Sequence, residues 1–232
     1  MQKNKKTVII SLGGSLIVPE ELDWKFIKNF KRMIERHIKK GYKCVIITGG
    51  GKIARKYIAA AALIDKIADE DKDWIGIHAT RMNAHFIRTI FRRHAHPIIN
   101  KDPHDFKYFL HFKKEILVAS GWKPGFSTDY DAVVLAKNLG VKQVINLSNI
   151  DFVYTKDPRK FKDAKRLENL SWKKYRAMVG NKWNPGMNAP FDPVASKLAE
   201  RLGLEVSIIG GKNLKNFENY LSGRKFQGTV IK

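Results

Sequence analysis

Cysteine and long hydrophobic runs are nearly absent from this 232-residue sequence, which has a single cysteine, Cys44. One cysteine excludes an internal disulfide and a cysteine-based metal site. Cys44 lies within a predicted strand, so we expect a buried, inert thiol. No stretch approaches the roughly 20 apolar residues that a membrane-spanning helix needs, and the apolar run after the basic N-terminus is too short for a signal peptide. We therefore expect a cytoplasmic protein with no membrane partner.

Several motifs of known chemistry are also missing. The Walker A pattern fails because Gly51-Lys52 is followed by Ile53 rather than by Ser or Thr. There is no GxGxxG dinucleotide fingerprint, no HExxH, no Ser-His-Asp signature and no cysteine nucleophile. The seven histidines are scattered, and surface or core positions explain them better than a metal site does. The sequence thus predicts no protein-held metal centre.

Acidic residues are in deficit: 22 Asp and Glu stand against 44 Lys and Arg, which gives a net charge of +22. Such a balance is consistent with contact with nucleic acid or with anionic small-molecule substrates. It is also consistent with a generally basic amino-acid composition of the source proteome. No aromatic-laced RNA motif or zinc-finger spacing accompanies the charge, so nucleic acid is the less expected partner. The basic residues are scattered, and the densest cluster is Lys156, Arg159, Lys160, Lys162, Lys165 and Arg166.

The remaining composition, with 44% hydrophobic and 11% aromatic residues, is that of a folded protein with a sizeable core. Strand patterns alternate with helix patterns along the whole chain. This alternation predicts an α/β protein, a three-layer α/β/α sandwich around a mainly parallel sheet, formed by one domain over residues 1–232. The predicted strands cover 7–12, 45–48, 97–99, 116–120, 141–147, 205–209 and 228–231.

The predicted helices have recognisable starts and apolar faces. Asp23 can cap a helix that ends at Gly41 and buries one face, and Asp192 can cap another. Residues 69–73 read as an acidic turn before a helix with Met82 on its apolar face, and 101–114 and 180–190 read as irregular segments. The apolar faces of the first and third helices comprise Ile27, Phe30, Ile34 and Ile38, and Met82, Phe86, Ile87, Ile90 and Phe91.

The central feature is the stretch Val45–Asp65, in which a buried strand is followed by Gly49-Gly50-Gly51 and then by a helix. Glycines let a ligand approach the backbone closely, and the free N–H groups of a helix start favour an anion. Arg55, one turn further on, is placed to put a guanidinium on a phosphate. The alternative is a tight strand-to-helix turn with no ligand. Three consecutive glycines exceed what a turn needs, which favours phosphate binding.

Similar polar loops follow other predicted strands: Gly13-Gly14-Ser15, residues 121–131, and Ser148-Asn149 with the segment 151–158. In parallel sheets, ligands gather at the carboxyl ends of the strands. Two anion-binding loops at one sheet edge suit phosphoryl transfer between a nucleotide and a second anionic substrate, because that chemistry relies on positioning and charge neutralisation.

These motifs resemble the amino acid kinase superfamily, and within it most closely the uridylate kinases of the archaeal type, which make UDP from UMP and ATP. The resemblance implies the α/β/α fold, Mg²⁺ as Mg-ATP, and a homo-oligomer, since relatives form hexamers. The motifs that carry it are LGGS (12–15), ITGGGKIARKYI (47–58), DWIGIHATRMNA (73–84), GWKPGFSTD (121–129), NIDFVYTKDP (149–158) and FDPVASKLA (191–199).

The resemblance also implies site residues. The expected catalytic residues are Lys52, Asp129 and Asp192. The expected ATP-binding residues are Gly14, Ser15, Gly51, Arg55, Ser148, Asn149, Tyr154 and Asp157. The expected UMP-binding residues are Gly50, Asp73, Trp122, Lys123, Pro124, Gly125, Phe126, Ser127 and Thr128.

Three departures from the family pattern bear on activity. Many members have a lysine where this chain has Ser11, so another cation, Lys52 ahead of Lys6, is expected to replace it. Phe152 stands where the family has glycine, and the middle loop reads STDYDA, so Asp129 and Asp131 compete for one role.

Two alternative functions stay open. The first is a superfamily kinase for another small phosphate, carbamate or acyl acceptor, although Thr48 stands where a histidine would indicate isopentenyl phosphate. The second is a catalytically weak relative that binds nucleotide or RNA.

Overall fold

A computed structural model describes residues 6–105, 113–182 and 189–232. The described residues form nine strands: β1 Lys6–Leu12, β2 Tyr42–Thr48, β3 Ile116–Ala119, β4 Gln143–Ser148, β5 Val153–Tyr154, β6 Arg166–Leu167, β7 Asn169–Leu170, β8 Glu205–Gly210 and β9 Thr229–Ile231. They also form eight helices: α1 Gly14–Ile17, α2 Trp24–Lys39, α3 Gly51–Ile64, α4 Asp69–Ile90, α5 Thr128–Asn138, α6 Trp172–Val179, α7 Pro193–Arg201 and α8 Leu214–Leu221.

The central sheet has seven strands in the order β3-β2-β1-β4-β8-β9-β7. The five strands from β3 to β8 run parallel, and only β9 pairs antiparallel with its neighbour β8. The strands β5 and β6 form a separate two-stranded antiparallel sheet. The predicted mainly parallel sheet is therefore confirmed, and the carboxyl ends of β1, β2, β3, β4 and β8 share one edge.

Each face of the sheet carries its own apolar core because successive strand residues point to opposite faces. In β1, Ile10 and Leu12 pack with residues of α2, α4 and α8, whereas Ile9 packs with residues of α5, α6 and α7. Residues of β2 alternate in the same way. These two cores confirm the predicted three-layer α/β/α architecture.

Local signals set the helix boundaries as predicted. The Asp23 carboxylate accepts a hydrogen bond from the Phe26 N–H at 2.9 Å at the start of α2, and Asp192 accepts one from the Ala195 N–H at 2.5 Å at the start of α7. After α2, Gly41 has a φ of 92°, a left-handed conformation that glycine adopts without steric cost. Cys44 is buried as expected, and burial raises the pKa of its thiol to about 12.

Three predictions about local structure are wrong. Residues 97–99 form no strand, because proline removes a ladder donor, and only Ala95 and Asn100 make isolated bridges to β3. Residues 69–73 are the start of α4 rather than a separate turn. The carboxylates of Asp69, Glu70 and Asp71 lie in its first turn, at the positive end of the helix dipole, which they stabilise. Met82 is 70% exposed and does not belong to the apolar face of α4.

Two other predictions are tested only in part. The segment 151–158 contains the short strand β5 within its loop. The predicted irregular segments 101–114 and 180–190 include residues 106–112 and 183–188, which lie outside the described residues. Within the described ranges, every helix is too short or too polar to cross a membrane.

Candidate functional site

The glycine loops after β1 and β2 lie against each other, backbone to backbone. A Cβ atom on Gly14 would stand 2.2 Å from the Gly51 nitrogen and 2.5 Å from the Gly49 oxygen. The Gly49 N–H also donates to the Leu12 oxygen at 2.9 Å, and Gly51 has a φ of 71°. The glycines are therefore needed for the contact between the two loops, in addition to any approach by a ligand.

The helix α3 begins in this contact, and its first turn faces the first loop. The guanidinium Nη2 of Arg55 donates to the Ser15 hydroxyl at 3.2 Å, so these two predicted phosphate-binding residues meet. Gly50 precedes α3 and offers no side-chain cap to its first N–H groups. Because such N–H groups and a guanidinium both favour anions, the two loops together can hold phosphate.

Lys52 also lies in the first turn of α3, where its ammonium group pairs with the Glu20 carboxylate. Lys6 lies elsewhere: it starts β1 and is about 20 Å from the carboxyl end of that strand, given the rise per residue of an extended chain. Lys6 lines a cavity of about 690 Å³ that is bordered also by Lys142 and Arg224, at the amino-terminal edge of the sheet. Lys6 therefore cannot replace the missing lysine, and Lys52 remains the candidate.

Ser11, in the position of that lysine, contacts a carboxylate. Its hydroxyl donates to Asp129 Oδ1 at 3.1 Å, and the Asn146 amide donates to the same oxygen at 3.4 Å. The backbone N–H of Asp192 donates to Asp129 Oδ2 at 3.1 Å. The Asp192 side chain is buried, and its Oδ2 has no hydrogen-bond partner among the described residues. Asp129 and Asp192 thus form a carboxylate pair at the carboxyl ends of β1 and β4.

The environment of this pair opposes ionisation. Burial, together with the nearby Asp192 carboxylate, raises the pKa of Asp129 to about 7, although the donors on Ser11 and Asp192 favour its charged form. Burial also raises the pKa of Asp192, while the N–H groups that start α7 act in the opposite direction. A cation or a bound phosphate–metal group would relieve this repulsion.

Asp131 has a different place, which separates the two carboxylates that the sequence left in competition. It is buried, and its Oδ2 accepts a hydrogen bond from the Trp122 N–H at 3.2 Å. Burial raises the pKa of Asp131 well above its usual range. Asp129 therefore faces Ser11 and Asp192, whereas Asp131 holds the loop after β3.

That loop, residues 121–127, is fastened to α4 by three further hydrogen bonds. The Gly121 N–H donates to the Thr80 hydroxyl at 2.8 Å, and the Arg81 guanidinium donates to the Trp122 oxygen at 3.2 Å. The Gly125 N–H donates to Asp73 Oδ2 at 2.7 Å. The structure thus brings Asp73 and the predicted acceptor loop together.

Aromatic rings line the same loop. The Trp122 and Phe126 rings lie 5.1 Å apart, and Phe126 lies 4.5 Å from Tyr130. The ammonium of Lys123 lies 4.0 Å from the centre of the Trp122 ring, a cation–π contact. Pro124 lies between Lys123 and Gly125, while Ser127 caps α5 and Thr128 is its first residue. These rings can cover a planar ligand.

The predicted ATP-base region lies after β4 and around β5. Ser148 ends β4 beside Asn149, and Tyr154 lies in β5. Asp157 forms a bidentate pair with Arg159 at 3.1 and 3.0 Å, and this guanidinium lowers the pKa of Asp157. Asp157 is thus not free to bind a ribose unless it leaves Arg159.

Phe152, the bulky residue in a family glycine position, does not point into open space. It is buried, its ring meets that of Tyr154 edge-on at 6.4 Å, and the Arg166 guanidinium lies 5.3 Å from the ring centre. The substitution is therefore accommodated by packing of the side chain within the β5–β6 region.

Several residues at this edge are missing from the sequence-based set. The Asn83 amide donates to the Gly49 oxygen at 2.8 Å and so fixes the glycine loop from α4. Gly210 ends β8 and Gly211 follows it, and a Cβ on Gly211 would stand 2.2 Å from Leu16 Cδ1. A glycine pair after a strand is the same signal as in the first two loops and could have been found. Asn83, Asn146 and Thr80 had no such signal.

The described residues contain no group of three or more His, Cys, Asp or Glu side chains that could hold a metal ion. The two loops, the aromatic acceptor loop and the carboxylate pair meet at one edge of a parallel sheet. This combination is typical of α/β small-molecule phosphotransferases, in which anions are positioned at strand ends and helix N-termini.

Comparisons with known proteins define the family. The amino acid kinase family model matches residues 6–210, and the chain belongs to this family. It is 33% identical to the uridylate kinase of Pyrococcus abyssi over 226 residues, which cover 97% of this chain and 98% of that protein. It is 34% identical to the uridylate kinase of Methanocorpusculum labreanum, over 97% and 94% of the two chains. The structure resembles crystalline uridylate kinase from Archaeoglobus fulgidus with a TM-score of 0.81 and 30% identity, covering 98% and 100%.

We expect the ligand-free protein to lose stability as the pH rises from about 4 to about 7. Asp129 has a folded-state pKa of about 7, against about 3.9 in an unfolded chain. Between these values the folded state binds more protons, so this contribution is complete below about pH 4 and is lost as the pH passes 7. The slope is at most about 1.4 kcal/mol per pH unit, and solvent at the open side of this partly buried group reduces it.

Urea unfolding of wild type and Asp129→Asn between pH 4 and 8 measures the effect. The variant should show a flatter dependence, whereas the exposed control Asp71→Asn should retain the wild-type profile. Identical profiles for wild type and Asp129→Asn would contradict the raised pKa.

Proposed function

We propose that this protein is a UMP kinase, which transfers the γ-phosphoryl group of ATP to UMP and yields UDP and ADP. One observation carries the proposal: Asp73 and the acceptor loop 121–127 are hydrogen-bonded to each other beside the paired glycine loops. This arrangement offers two adjoining anion sites, one for each nucleotide. The full-length similarity to archaeal uridylate kinases supports the same reading.

The residues divide between the two nucleotides in this proposal. Gly14, Ser15, Gly51 and Arg55 hold the phosphates of ATP, and its base and ribose lie along Ser148, Asn149, Tyr154 and Asp157. UMP lies between Gly50, Asp73 and residues 122–128, which belong to the acceptor loop and the start of α5. Because the reacting phosphates would lie at the loop contact, little covalent participation by the protein is needed.

Mg²⁺ enters as Mg-ATP in this proposal. The unpartnered Asp192 Oδ2 and the neighbouring Asp129 are carboxylate oxygens, the donor type that Mg²⁺ binds, and they stand at the same sheet edge. The ion would neutralise charge on the phosphates. Asp192 and Asp129 would then orient the groups around it.

A coupled ADP-release assay with UMP, CMP, dUMP and isopentenyl phosphate as acceptors tests the function. We expect turnover with UMP and lower kcat/KM with the other acceptors. Turnover with a different acceptor only would identify another kinase of the family. If titration calorimetry shows nucleotide binding without turnover, the protein is a binding relative and the proposal fails.

Replacing Asp73 by asparagine should raise KM for UMP about ten-fold and change kcat less. The neutral amide oxygen accepts more weakly than the carboxylate from the Gly125 N–H and from a ribose hydroxyl, and the ribose contact is made equally in the ground and transition states. Initial-rate kinetics in both substrates measure this split, with Asp71→Asn as the control on the same helix turn. A change confined to KM for ATP would reverse the two nucleotide sites.

The partner surface of a homo-oligomer is proposed to be α3. Its outer face exposes an apolar stripe in which Ile53, Tyr57 and Ile64 are 36%, 65% and 86% exposed, with Leu63 beside it at 90%. Exposed apolar stripes of this kind mark protein–protein contacts. Assembly through α3 is compatible with the hexamer that the resemblance implies.

We expect Tyr57→Ser combined with Ile64→Ser to reduce the oligomer to smaller species, because it removes apolar area that only a partner covers. Multi-angle light scattering measures the mass. Met82→Ser with Ile98→Ser is the control, since these side chains are also exposed, at 70% and 62%, but lie elsewhere. A monomeric wild type would contradict the proposal. The single domain over residues 1–232 and the cytoplasmic location stay predictions.

A further inference from the structure

The proposed catalytic site accounts for few of the positive charges of a chain with a net charge of +22. In the densest basic run of the sequence, residues 156–166, two of the six cations have carboxylate partners within the run. Lys156 pairs with Asp163 at 2.6 Å, and Arg159 pairs with Asp157 at 3.0 Å. A second concentration of cations, with a more regular spacing, lies on helix α2.

The outer face of α2 carries that charge in a regular array. Cations recur at intervals of three or four residues, which places one on each helical turn over about 21 Å. The opposite face of the helix is buried in the core. The helix has one acidic residue, Glu35, which pairs with Lys31 at 3.1 Å, and Glu218 of α8 pairs with Arg36 of the stripe at 3.2 Å. The stripe consists of Lys25, Lys28, Arg32, Arg36 and Lys39.

A cleft of about 500 Å³ lies between this stripe and residues 93–94. Arg93 borders the cleft from the second side, and the Lys114 ammonium lies 3.0 Å from the Arg93 oxygen. Within the described ranges, Arg32, Lys39 and Arg93 have no carboxylate within salt-bridge distance. The cleft is lined by five cations and one carboxylate, Glu35, and is therefore a surface of net positive charge.

An aromatic ring completes the stripe. Trp24 is 61% exposed and lies one turn before Lys28, on the same face of α2, with the Lys25 ammonium 5.6 Å from its ring centre. An exposed indole beside a row of cations is the combination with which proteins bind single-stranded nucleic acid: phosphates contact the cations and a base stacks on the ring. A membrane surface fits less well, because the apolar face of α2 is buried in the core and cannot insert.

Like charges one turn apart repel each other and destabilise a helix. A bound polyanion removes this repulsion and releases the counter-ions condensed on its phosphates. We propose that the α2 stripe and the cleft at residues 93–94 bind single-stranded RNA through its sugar–phosphate backbone, without sequence preference, with Trp24 as a stacking platform. The function of this surface is separate from the kinase activity.

The cleft is also separate from the catalytic edge. Lys39 stands three residues before β2, and Arg93 two residues before Ala95, which pairs with the first residue of β3. Both therefore lie toward the amino ends of the strands, whereas the nucleotide loops lie at the carboxyl ends. Substitutions at Arg32 and Lys39 should leave turnover unchanged.

Fluorescence anisotropy with a labelled oligo(A) RNA of about 20 nucleotides, longer than a typical single-strand binding site, tests the proposal. Adenine avoids the uracil that the acceptor loop is proposed to bind, and saturating ADP in the buffer keeps the proposed ATP site occupied. We expect binding to wild type that weakens with salt. Arg32→Gln with Lys39→Gln should weaken it about ten-fold at low salt and reduce the slope of log K against log salt by about 1.4, the value for two phosphate contacts on a single strand.

Two matched variants make the result specific. Lys162→Gln with Lys165→Gln removes the same charge from the basic run and should change the affinity less than about two-fold. Trp24→Ala should weaken binding about five-fold or more with an unchanged salt slope, because stacking releases no counter-ion. Thermal melting and turnover verify that each variant is folded.

Three outcomes would overturn the proposal. Equal losses in the two double variants would reduce the effect to net charge. Absence of RNA binding by wild type at about 50 mM salt, where phosphate contacts are strong, would remove the activity itself. Binding to vesicles of anionic lipid, with no binding to RNA, would identify a membrane surface instead.

Discussion

Replacing Lys52 by methionine is expected to lower kcat about 100-fold while leaving the Kd values for ATP and UMP within a few-fold. Negative charge develops on the transferring phosphoryl group, and a preorganised donor there acts mainly in the transition state. Ser11 cannot supply a positive charge because its hydroxyl is neutral, and that hydroxyl donates to Asp129 at 3.1 Å. Lys52, in the first turn after the glycine loop, is the candidate that the structure leaves after Lys6 is excluded.

In the ligand-free structure Lys52 pairs with the exposed Glu20 carboxylate, and that pairing lowers the pKa of Glu20. Glu20→Gln is therefore the matched control: it releases Lys52 and should keep kcat at or above the wild-type value. Adding Ser11→Lys to Lys52→Met, which restores the family lysine, should recover part of the loss. Turnover measurements beside calorimetric titration of both nucleotides decide the result. Unchanged turnover in Lys52→Met would contradict the catalytic role.

Replacing Gly14 by alanine is expected to destabilise the fold by about 3 kcal/mol or more, or to prevent folding. The added Cβ would stand 2.2 Å from the Gly51 nitrogen and 2.5 Å from the Gly49 oxygen. These neighbours are backbone atoms, so the two loops would have to separate, and overpacking of this kind typically costs at least about 1–3 kcal/mol. Because the same loops form the proposed phosphate site, activity should be lost together with stability.

Gly76→Ala is the matched control: it makes the same chemical change, but it is expected to raise the free energy of unfolding rather than lower it. Gly76 lies inside α4, and a Cβ there would meet nothing within 4 Å. Alanine in a helix interior is more stable than glycine by about 0.5–1 kcal/mol. Urea unfolding of both variants measures the difference. Wild-type stability in Gly14→Ala would show that the loops can separate at little cost.

The sequence was sufficient for the layers of the fold because its signals are local. Burial of both sheet faces follows from the continuous apolar runs of β1, β2 and β4, and helix starts follow from caps such as Asp23 and Asp192. Local signals failed where a longer-range pairing decides the structure. Residues 97–99 have strand composition, yet only their neighbours Ala95 and Asn100 find partners on β3.

In the candidate site, too, some features could be predicted from local sequence signals and others depended on long-range contacts. That the glycine loops and the acceptor loop would share an edge followed from parallel topology, since carboxyl ends of parallel strands lie together. The sequence could not predict which carboxylate contacts Ser11 and which contacts the Trp122 N–H. Asp129 and Asp131 stand two positions apart on one helix and so point in different directions. The catalytic and nucleotide-binding roles of these residues stay predictions.

By itself, then, the sequence determined the α/β/α class, the position of the loops and the family, through local periodicity and motifs carried along one chain. Tertiary structure alone decided that Ser11 contacts Asp129 across 118 residues and that Gly14 cannot carry a side chain because Gly51 lies against it. It also decided that the cations of α2 face a cleft shared with Arg93. The physical reason is that hydrogen bonds, steric exclusion and charge compensation depend on distances through space, which only the assembled sheet and helices define.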